Sequence, residues 1–136
     1  MTGCLGRFMP SLLMNATETD VVQETLLGEA LEHAPVGALV LDETGRYLAA
    51  NRAACRLTGY TREELLGKSP IELDTDPATV PARLLEMAAG RLEHGTTRAR
   101  RKDGTVVEID FRVGATRSGG LPHFVFVFWQ REPGRP

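Results

Sequence analysis

Between Val36 and Gly67 the hydrophobic period of the sequence changes twice, and each change falls on a residue suited to a boundary. Gly37 to Leu41 is a short apolar run and Arg46 to Ala50 is a second. Asp42-Glu43-Thr44-Gly45 between them supplies turn chemistry, which predicts an antiparallel hairpin. Asn51 then has a side chain able to accept from the free N–H groups of a helix's first turn, over Arg52 to Leu57, and Gly59 can end that helix in a left-handed conformation. Thr61-Arg62-Glu63-Glu64 repeats the start signal as a capping box ahead of Leu65-Leu66-Gly67, a second short helix with its own glycine stop. The stretch reads strand, strand, helix, helix.

This order of residues resembles the PAS sensor family, whose pattern runs from a glycine-apolar strand through an Asp-x-x-Gly turn to a strand ending in Asn, then a Gly-Tyr pair, a Glu-Glu-Leu and a Gly. The residues that carry the resemblance are Asp42, Gly45, Asn51, Ala53, Ala54, Leu57, Gly59, Tyr60, Glu63, Glu64, Leu65 and Gly67, with a looser likeness as far as Arg131. It implies an α+β fold: a five-stranded antiparallel sheet with two short helices and one long helix on one face, preceded by an amphipathic flanking helix, in the order α-β-β-α-α-α-β-β-β. It leaves function wide, because the family binds haem, flavins, fatty acids, small metabolites, partner proteins or nothing.

The 136 residues make one domain's length, and a 42% hydrophobic, 25% charged composition predicts one ordinary globular core. A net charge of −2 offers no broad basic field, so nucleic acid is not an expected partner. Two cysteines, Cys4 and Cys55, argue neither a disulfide framework nor a metal cluster. No apolar run approaches a membrane span, and Arg7 to Met14, broken by Pro10, makes a poor signal peptide. A soluble cytoplasmic protein without membrane partners is expected.

In chain order, residues 1–18 show no sustained period and are expected as a disordered tail. Over residues 19–34, with Asp20 and Gln23 as a capping box, Val22, Leu26, Leu27, Ala30, Leu31 and Ala34 share one helical face, and Pro35 ends the helix. Residues 35–131 form the sensor-like domain. Lys68 to Leu73 is an irregular or short helical link, and Gly67-Lys68-Ser69 is not a phosphate loop, since position 62 is Arg rather than Gly. Thr79 is the expected cap of the next helix, whose stripe is Val80, Leu84, Ala88 and Leu92. From Gly95 the period switches to two. A three-residue turn with Gly104 left-handed would set Arg100 opposite Glu108 and Arg98 opposite Asp110, leaving Thr97, Ala99, Val107, Ile109, Phe111 and Val113 inward. In the last strand Phe124, Phe126 and Phe128 should point inward and Val125, Val127 and Trp129 outward, the outer face being completed by Val40 and by Tyr47 or Leu48. Gln130 stands where the family's C-terminal Asp-x-Thr motif has Asp, and residues 132–136 read as a tail with no helical linker to an attached output domain.

No enzyme constellation is visible. His33, His94 and His123 lie apart, with no Ser or Cys nucleophile paired to them by motif, so the chain is expected not to be an enzyme and to hold no metal. The resemblance would place a haem-ligating His within the long helix, where Val80 to Leu92 has none, and a flavin-reactive Cys three residues after Gly67, where Pro70 stands. Cys55 reads as an incidental thiol. What remains is a candidate apolar cavity: Leu39 and Leu41 from the first strand; Leu57, Leu66, Ile71 and Leu73 from the short helices; Leu84, Ala88 and Leu92 from the long helix; Ala99, Ile109, Phe111, Phe126 and Phe128 from the sheet. Either these side chains fill a core, or they surround a small apolar or amphipathic ligand. The expected function is a sensory module that binds such a ligand, associates with another protein, or both, with a ligand-free dimerisation domain as the alternative and a haem or flavin sensor as a remoter one. Uncovered apolar surface at Val22, Leu26, Leu27, Leu31, Val125, Val127 and Trp129 predicts a homodimer, with a separate signalling protein as a further partner.

Overall fold

The computed structural model describes residues 16–118 and 120–132, in two units divided after Glu32. The first contains helix α1, Ala16–Glu32. It starts earlier than the Asp20-Gln23 signal predicts, with Glu18 rather than Asp20 supplying first-turn negative charge. Asp20 therefore lies inside the helix rather than at its cap, ahead of the expected apolar stripe. Val22, Leu26, Leu27 and Leu31 are exposed. The tail expected over residues 1–18 falls outside the described residues except at its last three, which are helical, and of residues 132–136 only Glu132 is described.

The second unit opens with strands β1 (Gly37–Asp42) and β2 (Tyr47–Ala50). Asp42 builds their turn: its Oδ1 accepts from the Thr44 N–H at 2.9 Å, the Thr44 hydroxyl at 2.6 Å and the Arg46 N–H at 3.0 Å. Gly45 completes it at φ +90°, with its Cα so near Leu84 that a Cβ would lie 2.8 Å from a Leu84 methyl. Helix α2 (Arg52–Thr58) follows, capped as predicted by Asn51 and closed by left-handed Gly59. Asn51 does more than cap. Its Oδ1 accepts from both Ala54 N–H (3.0 Å) and Ala38 N–H (2.8 Å), its Nδ2 donates to the Val36 carbonyl (3.0 Å), and its backbone N–H donates to the Ala38 carbonyl. One buried side chain thus ties the start of β1 to the start of α2. Helix α3 (Arg62–Leu65) has the full Thr61–Glu64 capping box, and α4 (Pro70–Leu73) is the single turn anticipated in the link.

Helix α5 (Val80–Ala88) is shorter than expected. It is entered through a 3-10 turn at Pro77–Thr79, so Thr79 does not cap it; the Thr79 hydroxyl donates to the Asp76 carbonyl instead. It stops before Gly90, which takes φ +73°. Leu92 is outside the helix and Ala88 is exposed. The inward stripe is buried Val80 and Met87 with half-buried Leu84 between them, at spacings of four and three.

Strands β3 (His94–Arg100), β4 (Val106–Ser118) and β5 (Leu121–Gln130) complete an antiparallel sheet of order β2-β1-β5-β4-β3. The β3–β4 register differs from the expected one by two residues: Arg98 faces Glu108, Thr96 faces Asp110 and Arg100 faces Val106. The cause is the place of Gly104, which at φ +91° is the last loop residue and not the middle one. Asp103 fixes this by accepting from the Thr105 N–H and hydroxyl, at 2.9 and 2.6 Å. A slip of two preserves the pleat, so Val107, Ile109, Phe111 and Val113 are still buried. On β5, Phe124 and Phe128 are buried and Phe126 stacks on Phe111 with centroids 4.9 Å apart. The inner face of the sheet, closed by Leu65, Leu73, Val80 and Met87, is the core.

Candidate functional site

Between α4, α5 and the inner face of the sheet lies a cavity of about 70 Å³. Eight of the expected residues surround it: Leu39, Leu41, Leu73, Leu84, Ala99, Ile109, Phe126 and Phe128. The other six do not. Leu66 and Ile71 are exposed, because their one-turn helices bury only Leu65 and Leu73. Leu92 is lost with the shorter helix, and Ala88, its last residue, is exposed. Phe111 is buried beneath Gly95, where a Cβ would meet its ring at 3.0 Å, and reaches the cavity only through its stack on Phe126. Leu57 lines a separate surface groove with Ala53, Arg56, Arg101 and Trp129. Of the other candidate interface residues, Val125 and Val127 are half-buried.

The sequence reading missed Tyr47 and Met87 as lining residues, had Val80, Val113 and Phe124 only as inward-facing, and named no polar one as lining. Either Tyr47 or Leu48 was expected on the outer face. A register irregularity between Val40 and Leu41 sets Tyr47 opposite Leu41, so it turns inward and is buried while Leu48 is exposed. Burial pushes its phenol well above the ordinary tyrosine range, with the Asp74 and Glu72 charges adding to the effect, so it stays a neutral O–H.

The polar wall is a linked set. Asp74, whose side chain is 8% exposed, accepts on Oδ2 from Arg83 Nη2 at 2.6 Å and from the Thr97 hydroxyl at 2.9 Å. Its Oδ1 accepts from the Asp76 N–H at 2.8 Å. Arg83 Nη1 donates to Thr97 Oγ1 (3.1 Å) and Nη2 also to Thr79 Oγ1 (3.0 Å). Among the described residues, Arg83 Nε is the one buried side-chain nitrogen or oxygen without a hydrogen bond. The segment holding Asp74 is pinned to the sheet by a bridge between Asp74 and Ala99 and by Thr75 N–H donating to the Arg98 carbonyl.

A model of the PAS fold family matches residues 25–131. The chain belongs to the PAS family. Its fold is similar to that of a domain of the sensory box sensor histidine kinase/response regulator from Geobacter sulfurreducens, with a TM-score of 0.73, 23% identity and coverage of 86% of this chain and 100% of that one. The PAS domain of an HTR-like protein from Haloarcula marismortui gives 0.72 at 22% identity, over 86% and 100%. An RNA-binding Light-Oxygen-Voltage receptor gives 0.71 at 26% identity over 87% of this chain, which spans 35% of that receptor. In this PAS domain Pro70 lines the cavity at the position where the resemblance sets a flavin-reactive Cys, and none of the lining residues is His. A cavity of about 70 Å³ is also far smaller than a porphyrin or a fused three-ring flavin. The residues present fit neither group. Among the described residues no three His, Cys, Asp or Glu side chains converge as a metal site, and no helix is long and apolar enough to cross a membrane.

Proposed function

We infer that this PAS domain is a non-enzymatic, cytoplasmic sensory module whose input is a small apolar or amphipathic molecule held between α5 and the sheet. The cavity carries this reading: an apolar enclosure with one hydrogen-bonded polar wall, the type of place where small ligands are oriented. A ligand there would touch Leu84 and Met87 on α5 and Phe126 and Phe128 on the central strand together, so occupancy can shift the helix against the sheet. Native mass spectrometry of protein purified from cells tests it, together with an absorbance spectrum. A retained small molecule without a Soret or flavin band is the expected result; a chain at its bare mass under conditions that preserve other complexes removes the ligand reading.

A second reading, association with another copy or with a separate signalling protein, has its own support. Val22, Leu26, Leu27 and Leu31 on α1 and Trp129 on β5 are all exposed, an unusual share of large apolar side chains for a chain this short. Sedimentation at tens of micromolar should show a dimer, and Leu27→Glu a monomer. A clean monomer for the unmutated chain would remove self-association.

A further inference from the structure

Resting on the reading that the chain self-associates, we propose that α1 of one copy lays an acidic, leucine-bearing face into a groove of a second copy walled by Arg56 and Arg101. The groove joins α2 to the end of β5, with Pro35, Ala53, Leu57 and Trp129 as its apolar floor. Trp129 and Arg56 are both exposed. Arg101 Nε donates to the Leu57 carbonyl at 3.1 Å, which keeps its guanidinium at the groove. Among the described residues neither arginine has a carboxylate within ion-pairing distance. An indole flanked by two guanidinium groups is the composition that anchors an interface, and here it calls for a partner both acidic and apolar.

Charge selects the occupant. Helix α1 carries Glu18, Asp20, Glu24, Glu29 and Glu32 with no Lys or Arg, so against a chain total of −2 the rest of the protein carries +3. Residues 1–15 and 133–136 hold one Arg each and no acid, so neither terminal stretch complements two arginines. Periodicity selects the face. Asp20, Glu24, Leu27 and Leu31 follow at spacings of four, three and four, which sets two carboxylates and two leucines along one side of the helix. The leucines match the floor at Leu57 and Trp129, and the carboxylates match Arg56 and Arg101. Two-fold exchange between copies fills both grooves with both helices, so the assembly closes as a dimer.

Sedimentation of the whole chain at tens of micromolar reads the outcome. Two helices in two grooves make about four exposed ion pairs, each worth up to a few-fold in an equilibrium. Arg56→Glu with Arg101→Glu should therefore weaken the dimer on the order of a hundredfold, and so should Asp20→Lys with Glu24→Lys. Mixed one to one, the two variants should dimerise again, because each then offers the charge that the other lacks. Arg101→Glu also gives up the Leu57 carbonyl, so Arg56→Glu alone, on a solvated side chain, is run beside it with circular dichroism as the folding control, and it should weaken the dimer in the same direction. Folded groove variants that dimerise like the unmutated chain would overturn the docking site and leave self-association standing. A mixture no more dimeric than its components would overturn the exchange between copies; a helix seated on its own chain, or a groove kept for another protein's acidic helix, gives that result. An unmutated chain that stays monomeric would remove both the inference and the reading beneath it.

Discussion

Replacing Asn51 by Ala should cost far more than the loss of a helix cap. The cap alone, Asn51 Oδ1 to the Ala54 N–H at 3.0 Å, is worth about 1 kcal/mol. The same oxygen also serves the Ala38 N–H at 2.8 Å, and Ala38 is 5% exposed, so water cannot take over there. Stranding that amide adds about 1–3 kcal/mol, giving a total of about 2–4 kcal/mol out of the 5–15 kcal/mol typical of a domain. With a urea slope of about 1–1.5 kcal/mol per molar for a domain of this size, the unfolding midpoint should fall by roughly 2 M. Asn51→Ser separates the two parts. Serine caps as well as asparagine does but is too short to span from α2 to Ala38, so it should recover only the cap's share. Urea titrations of the three proteins, followed by circular dichroism, are sufficient. A loss below about 1 kcal/mol for Asn51→Ala, or wild-type stability for Asn51→Ser, would refute the idea that this side chain fastens strand to helix.

Three further outcomes follow from the same coordinates. Gly37→Ala sets a methyl 2.6 Å from the ring of Phe128, which is 2% exposed and hemmed in, so thermal unfolding should show a loss of about 1–3 kcal/mol; an unchanged transition would mean the ring can retreat. Val80→Ile puts one more carbon into the cavity wall and should raise stability by about 0.5–1 kcal/mol while lowering retention of any bound molecule; destabilisation would show that the space is not usable. Glu64 is held below the usual carboxylate range by the Lys102 ammonium and then the Thr61 N–H, and Asp103 by the Thr105 hydroxyl and N–H. Because the folded values are the lower ones, both groups stabilise the fold when ionised. That contribution is complete above their ordinary values of 4.5 and 3.8 and is lost as pH falls through the lowered ones. Stability should therefore decline below about pH 4, less steeply in Asp103→Asn, and a pH-independent midpoint from pH 5 to 2 would contradict it.

Most of the frame was legible because it is written in local chemistry. Asn51, Gly59, the Thr61–Glu64 box and the Asp42–Gly45 turn each act within a few residues, and each forms as the sequence predicts. The alternation on β4 and β5 likewise reports which side chains are inward. It cannot report register, since a slip of two leaves every face unchanged, and the decision fell to where Gly104 sits in its loop. A strand of four residues with an irregular partner carries too little alternation to be read, which is why the choice between Tyr47 and Leu48 as the outward residue stayed open. Gly90 was a readable helix stop that the run of small and apolar residues around it concealed. The polar wall was beyond reach for another reason: Asp74, Arg83 and Thr97 come from a loop, a helix and a strand, and no spacing announces that they will meet.

The excursion between β2 and β3 does something for the sheet besides covering its inner face. On the β2 margin Tyr47 N–H donates to the Lys68 carbonyl, its own carbonyl accepts from Gly67 N–H, and Arg62 Nε donates to the Ala50 carbonyl. On the β3 margin Asp74 bridges Ala99 and Thr75 N–H takes the Arg98 carbonyl. Residues 62–75 therefore occupy backbone groups on both borders of the sheet. Such borders are where unpaired strands recruit one another into fibrils, and here part of each border is already in use. A strand added at either border would find fewer backbone partners than a bare edge offers.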